Sequence, residues 1–288
     1  MKSILFSAAI FLSAYVYAQP QVTQQAIIST TTNVIAPDGE DVQNLQQGQG
    51  GGFNFRNFGD GETKSTTYIK DSMVKTIMKN DMGRTTIIRN NSGRITTTLL
   101  EIMGNQTGFY ITDEEAALMK VKMDSMMQAR RNADSTKPKT TPNQSANNIE
   151  VSYVDGTKKV AGYECKKAYI ITTRILGIKD SVAVWYTPEL KFEHVASTGG
   201  TSSMGGFGNF GNFVSQGGFD KVNGFVMQYE MNMRRGRRMI VEVTKIDLKK
   251  EVTSKDFEIP KDFDVKPMKE FQNMMQGAGM PQQFRMGQ

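Results

Sequence analysis

Apolar and polar residues alternate through residues 224–234 of this chain. Every second side chain in this stretch is large and apolar, namely Phe225, Met227, Tyr229, Met231 and Met233. An alternation with a period of two residues predicts a β-strand with one buried face and one solvated face. Strands of this kind are typical of antiparallel sheets, so the stretch strongly limits the folds that are open to the chain.

The same patterning recurs along most of the sequence. It predicts further strands over residues 65–79, 84–89, 94–102, 108–112, 150–154, 163–174, 181–186 and 239–244. Residues 80–83, 90–93 and 155–156 supply the Asn, Asp and Gly that tight turns between strands require. Many strands at short spacing predict a mainly β protein built on one large antiparallel sheet, curled or closed.

One helix is predicted between these strands. Thr112 and Glu115 have the spacing of a capping box, in which the side chain of each residue accepts a hydrogen bond from the backbone amide of the other. An apolar stripe at helical spacing follows, formed by Leu118, Met119, Met123, Met126 and Met127. We expect this stripe either to pack on the sheet or to act as an adaptable, methionine-rich lid or plug over an apolar cavity.

The first residues have the features of a secretory signal peptide. Lys2 is followed by an apolar core over residues 4–17, and Val16-Tyr17-Ala18 is a typical cleavage site. The core is too short for a comfortable membrane span, and no later segment approaches that length. We therefore expect residues 1–18 to be removed, leaving an exported protein without a transmembrane segment, in the periplasm or outside the cell.

Composition divides the remaining chain. Residues 19–64 are expected to hold a strand and a flexible Gly/Phe/Asn-rich segment, and residues 65–268 the β domain. Within that domain, residues 132–148 have the composition of a linker and residues 199–219 that of a Gly-rich loop. Residues 269–288 are expected to be a disordered tail. The two Gly/Phe/Asn-rich segments could alternatively serve as flaps that contact a ligand or a matrix.

Few residues of the chain can perform chemistry. The sequence has one His and one Cys, which excludes an intramolecular disulfide and a histidine-based metal cluster, and no catalytic motif surrounds His194 or Cys165. We expect Cys165 to be a small buried apolar residue. The chain is therefore interpreted as a non-enzyme without a cofactor or metal. Its net charge of +6 is modest, and an exported protein rarely meets nucleic acid.

Four arginines cluster at the predicted turn that follows the alternating strand. Their guanidinium groups suit contact with anionic groups such as lipid phosphates. The alternative is a solvated turn that charge keeps soluble. The cluster consists of Arg234, Arg235, Arg237 and Arg238.

Several segments together resemble a known family. They are YIKDSMVK (68–75), IIRNNSGRITTTL (87–99), VAGYECKKAYI (160–170), VWYTPEL (184–190) and DFEIPKDFDV (256–265). The chain resembles the exported bacterial family called domain of unknown function 4412, which is similar by pattern to the LolA/LolB-like lipoprotein carriers. The resemblance implies an unclosed antiparallel β-barrel with a helical lid around an apolar cavity for acyl chains.

Two hypotheses about function follow. The first is a non-catalytic binder or carrier of lipid, an acyl chain, a lipoprotein or another hydrophobic envelope component, with possible peripheral contact to the envelope. Its ligand would lie on an inner face formed by Phe225, Met227, Tyr229, Met231, Met233, Trp185, Met119 and Met123. The second is a structural or interaction protein acting through its Gly/Phe/Asn-rich loops. An interior filled by the chain's own Met and Phe side chains would favour the second.

Overall fold

A computed structural model of the chain describes residues 21–36, 61–80, 83–102, 104–133, 148–173, 179–192, 218–232 and 236–277. Strands dominate this part of the molecule, as the alternating pattern predicts. They are β1 Gln21–Val22, β2 Gln25–Ile35, β3 Gly61–Lys70, β4 Met73–Asn80, β5 Gly83–Asn90, β6 Ile95–Ile102, β7 Asn105–Thr112, β8 Asn148–Val160, β9 Tyr163–Thr173, β10 Lys179–Thr187, β11 Leu190–Lys191, β12 Phe225–Asn232, β13 Arg238–Asp247 and β14 Val265–Pro267. The helices are α1 Asp113–Ala133 and α2 Met268–Gly277.

Twelve of these strands form a single unclosed sheet. Its order is β14-β7-β6-β5-β4-β3-β2-β13-β12-β10-β9-β8, so two meanders, β2 to β7 and β8 to β13, lie side by side. The antiparallel pair β2–β13 joins them. Only the β14–β7 pair within this sheet is parallel, and the short strands β1 and β11 form a separate parallel pair. The predicted fold class, a mainly β protein with an unclosed antiparallel sheet, is confirmed.

Two turns differ from those that the sequence predicts. Residues 65–79 were expected to be one strand, but the chain reverses at Asp71, whose φ of 50° is left-handed, and β3 pairs with β4. Asp155 and Gly156, predicted to be a turn, form instead a bulge inside β8, between the pairs Val154–Lys167 and Thr157–Lys166. A bulge arises because these two residues have no partner on β9.

The turn between β8 and β9 lies at Ala161 and Gly162. Both residues have positive φ, 49° and 88°, and they connect the paired residues Val160 and Tyr163. Two consecutive positive φ angles define the two-residue turn whose twist matches that of an antiparallel hairpin. The Gly162-Tyr163 motif of the sequence therefore marks a hairpin that fixes the register of β9 against β8.

Both faces of the sheet bury apolar side chains. One core cluster includes Ala26, Ile69, Val74, Cys165 and Met227, and a second is centred on β9, β10 and β12. The third lies where the segment after β13 crosses β5 and β6: Val252 and Phe257 pack there against Ile88 and Leu99. This returning segment, residues 248–264, is also tied to β4 because Lys75 Nζ donates to the carbonyl of Asp256 at 2.6 Å.

Helix α1 begins where β7 ends. The predicted capping box is confirmed, since the Glu115 amide donates to Thr112 Oγ1 at 3.2 Å and the Thr112 amide donates to Glu115 Oε2 at 3.0 Å. Arg89 on β5 donates through its two terminal guanidinium nitrogens to Asp113, with Nη2 at 2.8 Å from Oδ2. The Arg89 guanidinium thereby lowers the pKa of the Asp113 carboxyl. These contacts fix the first turn of α1 to the sheet.

Two predicted flexible segments are partly ordered. Residues 61–64 belong to β3, and residues 269–277 of the predicted disordered tail form most of α2. The helix is ordered because Phe271 packs on Phe109 of β7, with ring centroids 4.8 Å apart. Residues 1–18, 37–60, 134–147, 199–217 and 278–288, which carry the remaining segment predictions, lie outside the described residues.

The burial of Phe257 predicts a selective loss of stability. Phe257 is 7% exposed, and Ile259, two residues later, is 42% exposed. Phe257→Ala should lower the free energy of unfolding by about 3 kcal/mol or more, because it leaves a cavity. Ile259→Ala should change it by less than about 0.5 kcal/mol. Urea unfolding followed by circular dichroism measures both values; equal losses would contradict the packing described for the returning segment.

Candidate functional site at the curled end of the sheet

The β8 end of the sheet curls over its neighbours. Strand β8 is the last strand on this side, yet it approaches β13, from which β9, β10 and β12 separate it within the sheet. The carboxylate of Glu242 on β13 is near enough to Lys158 on β8 to stabilise its ammonium group. One face of β8, β9, β10, β12 and β13 is therefore turned inward, and we call it the inner face of the curl.

The side chains predicted to form one ligand-binding face on β12 lie in two separate cores. Phe225 and Met227 join the cluster that contains Cys165, whereas Tyr229 and Met231 join the cluster that contains Ile170. The cause is a register shift: Trp185 pairs with Gln228 but Tyr186 pairs with Val226, which leaves Met227 as an extra residue. The expectation of one continuous face on β12 is therefore wrong. Met233 lies outside the described residues.

The described members of this set contact other side chains of the chain. Met227 is 1% exposed and Met231 is 8% exposed. Phe225 packs edge-on against Phe192 with centroids 4.8 Å apart, and Tyr229 packs in the same way against Phe219 at 4.9 Å. Burial raises the pKa of the Tyr229 hydroxyl to about 12. These four side chains serve as core residues in this structure.

Trp185, which is half-buried, differs from the rest of the predicted set because two lysine ammonium groups lie close to its ring. The ammonium of Lys158 lies 4.5 Å from the ring centroid and that of Lys167 lies 5.7 Å from it. Lys167 is also 5.1 Å from the ring centroid of Tyr169. Both distances to Trp185 are within the range of cation–π attraction. This arrangement places two positive charges on one aromatic ring at the inner face of the curl.

Cys165 lies on the same face of β9 as Lys167. It is 0% exposed and unpaired, which confirms the prediction of a small buried apolar residue. Burial raises the pKa of its thiol, so the sulfur stays protonated at neutral pH, and a protonated thiol is a poor nucleophile.

The opposite face of this end has a pocket of about 360 Å³. Its lining comes from the bulge of β8 and from the neighbouring strands, namely Tyr153, Val154, Asp155, Gly156, Thr157, Lys166 and Tyr186. The rings of Tyr153 and Tyr186 meet edge-on at 5.6 Å. Polar and charged groups make up much of this lining, so the pocket does not correspond to the predicted cavity for acyl chains.

The arginine cluster is only partly described. Arg238 lies in β13 and pairs with Glu230 on β12 at 3.2 Å, and Arg237 is half-buried just before it. Arg234 and Arg235 lie outside the described residues. The guanidinium of Arg238 is thus already paired with a carboxylate of the neighbouring strand.

Helix α1 exposes much of its apolar surface. Leu118 is 71% exposed, Val121 65% and Met126 53%, and Met119 is half-buried. The expectation that the stripe packs on the sheet is therefore wrong for Leu118 and Met126, because the helix is attached through its first turn at the end of β7. The side chain of Met123 is outside the described set.

Of these three residues, Trp185 is predicted from the sequence, whereas Lys158 and Lys167 are not. Alternation places Cys165 and Lys167 on one face of β9, but no local pattern shows that β10 brings Trp185 opposite Lys167. Lys158 reaches the ring from β8, where it pairs with Cys165. Within the described ranges no group of three His, Cys, Asp or Glu side chains is placed to hold a metal ion. In the same part of the chain, no helix is both long and apolar enough to cross a membrane.

The fold places the chain among the mainly β proteins that are built on one large unclosed sheet. The family model described as "Domain of unknown function (DUF4412)" matches residues 60–263, and the chain belongs to that family. This confirms the resemblance found in the sequence. No curated protein matches the chain.

Several solved structures are similar to the chain at low identity. PNGF-II in space groups P21 and C2 matches at 14% and 15% identity, each with a TM-score of 0.35, over 89% of this chain. The chain spans about a third of those proteins, 34% and 33%. A LolA superfamily protein, NE2245 from Nitrosomonas europaea, matches at 6% identity and a TM-score of 0.29, over 83% of this chain and 92% of its own.

The raised pKa of Tyr229 predicts how stability responds to alkaline pH. An unfolded tyrosine loses its proton near pH 10, whereas folded Tyr229 keeps it up to a pKa of about 12. The stabilisation is complete below pH 10 and is lost as the pH rises to about 12, since ionisation then favours the unfolded chain. The free energy of unfolding should fall less between pH 8 and pH 11 in Tyr229→Phe than in the parent, by about 1 kcal/mol. Urea unfolding at pH 8 and pH 11 measures this; identical losses in both proteins would contradict the burial of Tyr229.

Proposed function

We propose that this chain is an exported, non-catalytic binding protein for the acyl chains of anionic lipid in the cell envelope. The observation that supports this most directly is the exposure of three large apolar side chains on α1, Leu118, Val121 and Met126. Export is inferred from the features of residues 1–18. The absence of catalysis is inferred from a sequence that has one His and one Cys.

The geometry of α1 suits an apolar ligand. Asp113 fixes the first turn of the helix to the sheet, and the following turns carry apolar side chains that are exposed to solvent. Covering apolar surface contributes roughly 25 cal/mol for each Å² removed from water. Three such side chains on one helix can therefore supply several kcal/mol to the binding of an acyl chain.

One lysine of this helix, Lys122, is placed to contact an anionic lipid. Lys122 is exposed and lies four residues from both Leu118 and Met126, so the three side chains form one row along the helix. A lysine in such a row can lay its aliphatic stem on apolar surface while its ammonium reaches an anionic head group.

A second candidate is a structural or interaction protein of the envelope. It is favoured by the filled cores of the sheet, in which Met227, Met231 and Phe225 contact other side chains of the chain. Because the described apolar side chains of β12 already pack against other side chains, they offer no open surface to a ligand. The two candidates differ in whether lipid binding depends on α1.

The test is the binding of a fluorescent fatty acid to mature protein, residues 19–288, purified without detergent. The triple variant Leu118→Ser, Val121→Ser, Met126→Ser should bind about 10-fold more weakly or worse, because it removes most of the exposed apolar surface of α1. Ile259→Ser is the matched control, since it removes an exposed apolar side chain outside α1 and should bind as the parent does.

Circular dichroism confirms that both variants keep the strand content of the parent. Native mass spectrometry of the parent should also show a retained mass that extracts as lipid. A folded triple variant that binds the fatty acid as tightly as the Ile259→Ser control would contradict the proposal. A parent protein that carries no lipid and takes up no fatty acid would favour the second candidate.

A further inference from the structure

Trp185, Lys158 and Lys167 share the inner face of the curl because of the strand register. Trp185 on β10 lies directly opposite Lys167 on β9, and on its other side it lies opposite Gln228 on β12. Residues that face each other across antiparallel strands project to the same side of the sheet. Lys158 on β8 pairs with Cys165, two residues before Lys167, and so projects to that side as well.

The bulge of β8 shapes one wall of this group. A Cβ atom added to Gly156 would lie 3.5 Å from Lys167 Cβ and 3.6 Å from Trp185 Cη2, so the backbone of the bulge lies against both side chains. Gly156 has a φ of 148°, which side chains rarely allow. The position of the Trp185 ring is thus set by backbone on one side and by paired strands on the other.

Neither of the two ammonium groups forms an ion pair or a hydrogen bond with a described residue. Their recorded contacts are with aromatic rings, at 4.5 Å for Lys158 and at 5.7 Å and 5.1 Å for Lys167. An ammonium has three donors, and a cation–π contact uses none of them as a conventional hydrogen bond. Both ammonium groups therefore lie close to one indole ring and have donors that no described residue accepts.

Glu242 is the carboxylate that faces this group. It lies on β13, accepts a hydrogen bond from Gln228 Nε2 at 3.0 Å and is exposed to solvent. Its charge stabilises the Lys158 ammonium from a distance, while burial acts more strongly and lowers the pKa of Lys158. A partly desolvated ammonium has lost some of its contact with water, and an anion that approaches it restores that stabilisation.

We propose that Lys158 and Lys167, held over the ring of Trp185, form a binding site for a compact anion of the phosphate class. Two ammonium groups beside one ring match the charge of a phosphate, whose oxygens can accept a charge-assisted hydrogen bond from each lysine. The phosphate could be free in solution or belong to a lipid head group. The site does not depend on the acyl-chain proposal, since inorganic phosphate can occupy it without an apolar contact.

The sequence offers a spectroscopic probe for this site alone. Trp185 is the single tryptophan of the chain, so intrinsic tryptophan fluorescence reports its surroundings directly. Titration of the mature protein with inorganic phosphate at constant ionic strength should change this fluorescence to saturation. Lys158→Gln and Lys167→Gln should each weaken the apparent affinity about 10-fold, the effect of losing a hydrogen bond between charged groups.

Two further variants make the test specific. Lys166→Gln is the matched control, because Lys166 pairs with Tyr186 and Thr157 on the opposite face and its loss changes the net charge equally. It should leave the affinity within about 2-fold of the parent. Glu242→Gln should tighten phosphate binding, because it removes the carboxylate that repels an anion at this site.

A second titration distinguishes the two sources of phosphate. Vesicles of phosphatidylcholine with and without phosphatidylglycerol are added in place of inorganic phosphate, and the same variants are compared. A response to inorganic phosphate supports a site for a free anion; a response confined to phosphatidylglycerol vesicles supports a head-group site. If neither ligand changes the fluorescence, or if Lys166→Gln weakens binding as much as Lys158→Gln and Lys167→Gln do, the proposal is overturned. Lys158→Arg, which retains the charge, should retain binding and excludes loss of folding as the cause.

Discussion

The sheet depends on the antiparallel pairing of β2 with β13. Each meander forms from hairpins between neighbouring strands, and this ladder joins the two meanders within the sheet, while β14 returns to pair with β7. The β2–β13 ladder pairs residues more than 200 positions apart, from Arg238 with Ile35 to Asp247 with Ile27. Forming such a contact costs more loop entropy than forming a hairpin does. The ladder also fixes β13, and with it Glu242, at the place where β8 curls back.

The curl determines which side chains can serve a ligand. The register shift between β10 and β12 directs Phe225 and Met227 into one core and Tyr229 and Met231 into another. At this end of the sheet, the half-buried indole of Trp185 and its two neighbouring ammonium groups remain accessible. The exposed apolar surface of α1 follows β7, near the opposite edge of the sheet. The two proposed binding surfaces are therefore a polar one at Trp185 and an apolar one at Leu118, Val121 and Met126.

The sequence is informative where structure is local. Alternation predicted most strands, and the spacing of Thr112 and Glu115 predicted the start of α1, because both patterns act over a few residues. The reversal at Asp71 and the bulge at Gly156 were missed, since a single left-handed residue or an unpaired one leaves alternation almost unchanged. The approach of Lys158 to Trp185 could not be predicted, because it depends on register across several strands and on their curl.

The most direct test of this account is backbone amide hydrogen exchange of the mature protein. If β2 and β13 join two meanders into one cooperative sheet, the paired amides of residues 27–35 and 238–247 should exchange only on global unfolding. Their protection should equal that of the inner strands β4, β5, β9 and β10. Rapid exchange in residues 27–35 and 238–247, with the other strands still protected, would show two independent meanders and would contradict the account.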